Sequence, residues 1–305
     1  MARTGDDSWD LASSVGVTAT MVAAGRAVAT ADGRGLIDDP YAAPLVRAVG
    51  INFFDDALDG KFDGFGDVAP AEIQAQMDEM VVRTRFFDDY FRDATDAGVR
   101  QAVILASGLD ARAYRLNWPV ATVVYEIDQP AVVAFKTQTL SDLGAEPSCI
   151  RRTVAIDLRG DWMSALRDNG FDPSIPTAWL AEGLLIYLPP GAQDTLFGDI
   201  ITLSAPGSRI ATEFVPKLVD FDPDRARDAA ARFRGRGLDI DMPSLIYPGP
   251  RVSATQYFGS RGWLATGVPG SELFRRLGLT APGYERDNAL GEIVYITAEL
   301  PTQNR

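Results

Sequence analysis

The chain has 305 residues, 46% of them hydrophobic, enough to bury a sizeable core. Its formal net charge of −13 repels phosphate backbones and anionic lipid headgroups at long range, which disfavours nucleic acid as the main partner. There is no histidine and one cysteine, Cys149, which excludes Ser-His-Asp and Cys-His hydrolysis, His-ligated zinc, thiolate-rich metal sites and an intrachain disulfide.

The opening MARTGDDSWDLASSVG is acidic and polar and lacks signal-peptide anatomy. No apolar run approaches the roughly 20 residues that span a bilayer. A cytoplasmic protein with no membrane partner is expected. SSVGVTATMVAAGRAVAT then has apolar residues at three- and four-residue spacing, which predicts a helix capped by Ser13 or Ser14. Asp38-Asp39-Pro40-Tyr41 breaks that pattern and predicts a short helix with Pro40 in its first turn. AEIQAQMDEMVVRTRFFDDYFRDATDAG predicts a long helix, with Glu72, Gln76 and Glu79 outward and Ile73, Met77, Met80, Val81 and Phe87 as its apolar stripe.

From residue 100 short apolar strands alternate with helices: QAVILAS, ATVVYEID, CIRRTVAID, TAWLAEG and GSRIATEFV, then LGEIVYITAEL near the end. That alternation predicts an α/β fold, a mostly parallel sheet with helices on both faces. Between Val215 and the last strand lie a polar helix and a Pro/Gly-rich stretch, read as an inserted lid. One domain is expected: a helical N-terminal cap over 1–98, a core over 99–215, the lid over 216–260 and the end of the core over 261–305. The flanks of Cys149, EPSCIRR, look like the start of a strand and predict a half-buried structural thiol.

In open α/β sheets ligands sit beyond the carboxyl ends of the strands, so the residues just after each strand carry the chemistry. The first strand ends in Ala106-Ser107-Gly108-Leu109-Asp110, where Gly108 permits a tight turn close to a ligand. The second ends in Glu126-Ile127-Asp128, and an acid there can accept hydrogen bonds from both hydroxyls of a ribose. Asp157-Leu158 after the third strand can meet an adenine amino group and pack its ring, and Glu182 follows the fourth. The loop is not GxGxxG, so a pyrophosphate has no glycine-lined seat; an adenosyl ligand without phosphates suits it better than a dinucleotide.

The stretches DDSWDLASSVGVTATMVAAGRA, DDPYAAPLV, RTRFFDDY, ILASGLDARAYRL, VVYEIDQP, AIDL and AEGLLIYLPP, in this order and spacing, resemble the leucine carboxyl methyltransferase-like family and its actinobacterial branch. The resemblance implies a class I methyltransferase (Rossmann-like) sheet ending in an antiparallel strand, and S-adenosyl-L-methionine as cofactor. It implies Arg85, Gly108, Asp128, Asp157, Leu158 and Glu182 as cofactor-binding residues, with Arg85 on the cofactor carboxylate and Arg26 in a related role. A carboxylate acceptor on a small molecule or a protein would need no base and would agree with the absence of histidine. An alcohol or phenol would need one, with Glu182, Tyr187 and Tyr114 as candidates. Trp9, Phe86, Phe87, Tyr90 and Tyr187 can wall an acceptor pocket or pack the core. Two other readings share the ribose acid: a binder of S-adenosyl-L-methionine that never turns over, and a nicotinamide-dependent oxidoreductase, which the missing GxGxxG and histidine disfavour.

Overall fold

A computed structural model describes residues 14–61, 70–222, 224, 242–283 and 290–302. The apolar runs pair as expected. β1 (Gln101–Leu105), β2 (Val123–Asp128), β3 (Ile150–Ala155), β4 (Thr177–Ala181) and β5 (Arg209–Phe214) are mutually parallel in the order β3-β2-β1-β4-β5. β1 and β4 are buried along their whole length, which is why they read as continuous apolar runs rather than alternating ones. Successive side chains still point to opposite faces. Ala102 and Ile104 of β1 join one core cluster; Val103 and Leu105 join the other.

Four helices make the crossovers: α5 (Arg112–Arg115), α6 (Pro130–Asp142), α7 (Trp162–Asp168) and α8 (Pro190–Thr202). Pro130 and Pro190 start α6 and α8, where a missing N–H costs nothing. Before the sheet, α1 (Ser14–Ala31), α2 (Ala42–Val49), α3 (Asn52–Leu58) and α4 (Pro70–Asp96) form the helical cap. Pro40 lies in the turn before α2, not in its first helical turn. Asp39 Oδ1 accepts from the N–H groups of Tyr41 and Ala42 there, so the acid rather than the proline organises that start.

After β5 the chain makes a 3₁₀ turn at Pro216–Asp220. The polar helix expected next falls mostly on residues outside the described ones. α9 (Met242–Leu245) and α10 (Ala254–Gly259) follow, then β6 (Leu264–Pro269), α11 (Gly270–Arg276) and β7 (Val294–Glu299). β7 runs antiparallel between β5 and β6, closing the order β3-β2-β1-β4-β5-β7-β6. β6 is absent from the expected strands. It is an exposed edge strand, LATGVP, whose glycine and proline hide its periodicity. Among the described residues no helix is long and apolar enough to cross a membrane.

Candidate active site

A cavity of about 850 Å³ opens over the carboxyl ends of β1, β2, β4 and β5 and is roofed in part by α1 and α4. Gly108, Asp128, Asp157, Leu158, Glu182 and Tyr187 all line it. Arg85 does not.

The loop after β1 is tightly built. Ala106 and Gly108 both have positive φ, 49° and 46°. A Cβ on Gly108 would lie 3.0 Å from Cβ of Ala19 on α1, so the position is short of room as well as left-handed. Gly108 N–H donates to Asp128 Oδ2 at 2.6 Å, and Gln129 N–H to Oδ1 at 2.7 Å. Burial pushes the Asp128 carboxyl up from its ordinary range, and these two backbone donors hold the rise in check. Below the loop, buried Lys136 of α6 donates to Ser107 Oγ at 3.2 Å and to the Asp110 carbonyl at 3.0 Å, and pairs with Glu126 at 3.0 Å.

Asp157 accepts from the backbone N–H of Arg159 at 2.8 Å, from its guanidinium at 2.7 Å and from Gln129 Nε2 at 3.1 Å. Burial raises this carboxyl, but the Arg159 hydrogen bonds outweigh it and hold it below the usual range. Arg26 of α1 also lines the cavity. It donates to Asp39 Oδ2 and to the Leu109 carbonyl, each at 2.8 Å, and so ties α1 to the loop.

Glu182 is held between two arginines: Arg83 Nε reaches Oε1 and Arg112 Nη1 reaches Oε2, both at 2.7 Å. Burial would raise its pKa, yet Arg112 and Arg83 together hold it down. A carboxylate so occupied is a poor proton acceptor. Arg112 pairs in turn with Asp88 at 2.7 Å and with Asp110, and Arg115 with Asp88 at 2.6 Å.

Arg85 is corrected by the geometry. It stands on the outer side of α4, paired with Asp89 at 2.9 Å and 44% exposed at its side chain. The arginine of α4 that lines the cavity is Arg83, two residues earlier and about 200° around the helix. Helical phase carried the signal. Arg83 shares its face with Phe87, Tyr90 and Ala94, all buried, whereas Arg85 shares its own with Asp89 and exposed Arg92. Glu79, expected outward, stands one turn before Arg83 and lines the cavity too; burial pushes its carboxyl up.

The other aromatic candidates pack the core. Phe86 and Phe87 stack against Tyr295, and the Tyr90 hydroxyl donates to the Trp179 carbonyl at 2.9 Å. Tyr114 packs edge-on against Tyr41, outside the cavity lining, and Trp9 lies outside the described residues. Cys149 is half-buried, donates to the Ala113 carbonyl at 3.4 Å and has its thiol pushed up to about 12 by burial, which suits a structural role.

Glu213, at the end of β5, was not foreseen. It lines the cavity at 6% exposure, and its Oε1 accepts from the Gly183 N–H. Burial, reinforced by the neighbouring charge of Glu182, pushes it up to about 7 against the pull of Arg83 and the Gly183 N–H.

A doubly wound, mostly parallel sheet with an antiparallel penultimate strand is the class I methyltransferase arrangement. A family model, leucine carboxyl methyltransferase, matches residues 19–201. A protein of Mycobacterium avium (strain 104) named as an S-adenosyl-L-methionine-dependent methyltransferase is 63% identical over 300 residues, covering 98% of this chain and 99% of that one. A protein of the same description from Mycolicibacterium smegmatis is 64% identical over 303 residues, covering 98% and 100%. The chain belongs to the leucine carboxyl methyltransferase family of S-adenosyl-L-methionine-dependent enzymes. Among solved structures, a methyltransferase from Thermobifida fusca aligns over 89% of this chain and 99% of its own at 22% identity, with a TM-score of 0.48.

Proposed function

We propose that the chain moves a methyl group from S-adenosyl-L-methionine to an oxygen of an acceptor held in the same cavity, by in-line displacement. The observation that carries this reading is Asp128, braced by the N–H groups of Gly108 and Gln129 at the cavity edge, with a second lone-pair site on each oxygen left for a ribose hydroxyl. The rest of the lining fits the same ligand. Asp157 and Leu158 stand where an adenine would be met. The Arg83–Glu182 pair matches the opposite charges of an amino-acid end, a guanidinium for the carboxylate and a carboxylate for the ammonium. Arg83 thus takes the role that the resemblance gave to Arg85.

When bound, the cofactor supplies a methyl already activated by a positively charged sulfur. The chain's own residues then have to orient the acceptor and keep water out, work that contributes on the order of 7–11 kcal/mol. The acceptor expected from the resemblance is a carboxylate, which attacks without a base. Glu182, tied to two arginines, acts in this reading as a binding group, and Tyr187 as part of the wall. Glu213 favours a second acceptor class, argued below.

Calorimetric titration with S-adenosylmethionine, S-adenosylhomocysteine and NAD tests the cofactor. Binding of the first two should weaken by about 2–3 kcal/mol in Asp128→Ala, since charge-assisted hydrogen bonds are lost. Unchanged binding in that variant would remove Asp128 from the ribose. Tight binding with no turnover on any oxygen acceptor would make the chain a cofactor-sensing regulator instead.

A further inference from the structure

The strand order lays the cavity out from one end to the other. Asp157 and Asp128 follow β3 and β2, Gly108 follows β1, and Glu182 follows β4. Glu213 ends β5, one strand beyond Glu182 and on the far side from the ribose acids. With a cofactor seated over Asp128, the β5 end of the cavity would be left for the acceptor.

Tyr187 and Tyr247, beside Ile186 and Ile246, also line the cavity. Arg83 faces Glu213 from α4, Glu182 from β4 and Tyr295 from the opposed position on β7, with Glu79 acting on Tyr295. Arg83 Nε is bonded to Glu182, and its Nη2 makes a longer ion pair with Glu213 Oε1 at 3.8 Å. Oε1 of Glu213 accepts from Gly183, but its buried Oε2 has no hydrogen-bond partner among the described residues. Around it Ile186, Val215, Ile246 and Ile293 give the cavity an apolar wall. Each arginine lining the cavity is already paired: Arg26 with Asp39, Arg83 with Glu182, Arg159 with Asp157. Carboxylates outnumber them. An anionic acceptor would meet like charge here, whereas a neutral one would meet apolar surface and one unspent carboxyl.

We propose that Glu213 is the general base for a neutral hydroxyl acceptor, an apolar alcohol or phenol seated against Val215, Ile246 and Ile293. This rests on the methyltransferase reading above and narrows its acceptor. In the step, the acceptor O–H gives its proton to the Glu213 carboxylate while an oxygen lone pair forms the bond to the methyl carbon. The carbon–sulfur bond breaks with its electron pair going to sulfur, leaving a neutral thioether and an ether. A carboxyl raised to about 7 by burial is matched to that task near neutral pH, where both its forms are populated.

Two phenols separate a base from a merely structural carboxyl. At about pH 8, 4-tert-butylphenol keeps its proton, whereas 4-nitrophenol is largely ionised and needs no base. With the wild type, methylation of 4-tert-butylphenol should rise with pH through about 7 and then level off. Glu213→Gln should lower its kcat by about 10²–10⁴-fold while sparing 4-nitrophenol and the KM for S-adenosylmethionine. Glu213→Asp should retain part of the lost rate. A readout without turnover is the infrared band of a protonated carboxyl, which should titrate near pH 7 in the wild type and vanish in Glu213→Gln. Equal losses on both phenols would overturn the proposal, as would methylation of decanoate, unaffected by Glu213→Gln, in place of either phenol. If S-adenosylhomocysteine fails to bind the wild type, the cofactor reading falls and not merely the base.

Discussion

Gly108 shows how one missing side chain shapes the site. Its φ of 46° is a conformation that costs an L-residue about 1–2 kcal/mol, and the Cβ of an alanine there would press on Ala19 at 3.0 Å. Gly108→Ala should therefore lower unfolding stability in urea by about 1–2 kcal/mol. It should also weaken S-adenosylhomocysteine binding about tenfold or more, equivalent to ~1.4 kcal/mol, because the N–H that braces Asp128 moves with the loop. A variant with parental affinity would show that the loop tolerates a shift of α1. Both residues were legible in the sequence for a simple reason: each stands at or just past the carboxyl end of a strong apolar strand, where such sheets bind ligands. Glu213 lies within the last residues of a strand, where TEFV offers no turn residue to mark it, and its character comes from burial and from Glu182, which only the fold brings near.

At the scale of elements, α4 carries two arginines two residues apart with opposite fates. Arg83→Ala should remove the partner of Glu182 and abolish detectable binding of S-adenosylmethionine while sparing much of the affinity for adenosine, which has no carboxylate. Arg85→Ala should change neither affinity and shift stability by less than about 0.5 kcal/mol, because its pair with Asp89 is exposed. Parallel calorimetry on the two variants checks both; a strong effect from Arg85 with none from Arg83 would reverse the assignment. The long helix itself was plain from its period, yet motif resemblance alone pointed to Arg85, which lies outside the cavity lining, and not to Arg83, which lies in it. Phase against the buried Phe87 and Tyr90 decides between them. β6 shows the opposite limit. Its residues are half-buried or exposed, so no apolar alternation announces a strand, and it forms because β7 offers a free edge.

For the whole molecule, the sheet order was readable because five apolar runs separated by helices allow few right-handed topologies. The acid–base cluster was not, since Glu79, Arg83, Glu182, Glu213 and Tyr295 come from four well-separated segments. That cluster leaves a mark on global stability. Glu213 ionises near 4.5 when the chain is unfolded and near 7 when folded, so the folded state keeps a proton that the unfolded state has released. Its contribution is full below about pH 4.5 and is lost as pH rises through about 7, amounting to about 3 kcal/mol. Urea unfolding of the wild type and Glu213→Gln should coincide at low pH and diverge above it, with the glutamine variant the more stable at pH 8. Parallel curves would mean that the carboxyl is not raised.

The bond from Arg26 to the Leu109 carbonyl has a wider consequence. α1 packs directly on the loop after β1 and both line the cavity, so a nucleoside seated there would touch both. Whatever free energy the ligand gains from α1, α1 gains from the ligand, by reciprocity. Loading of the cavity and docking of α1 are then two faces of one equilibrium.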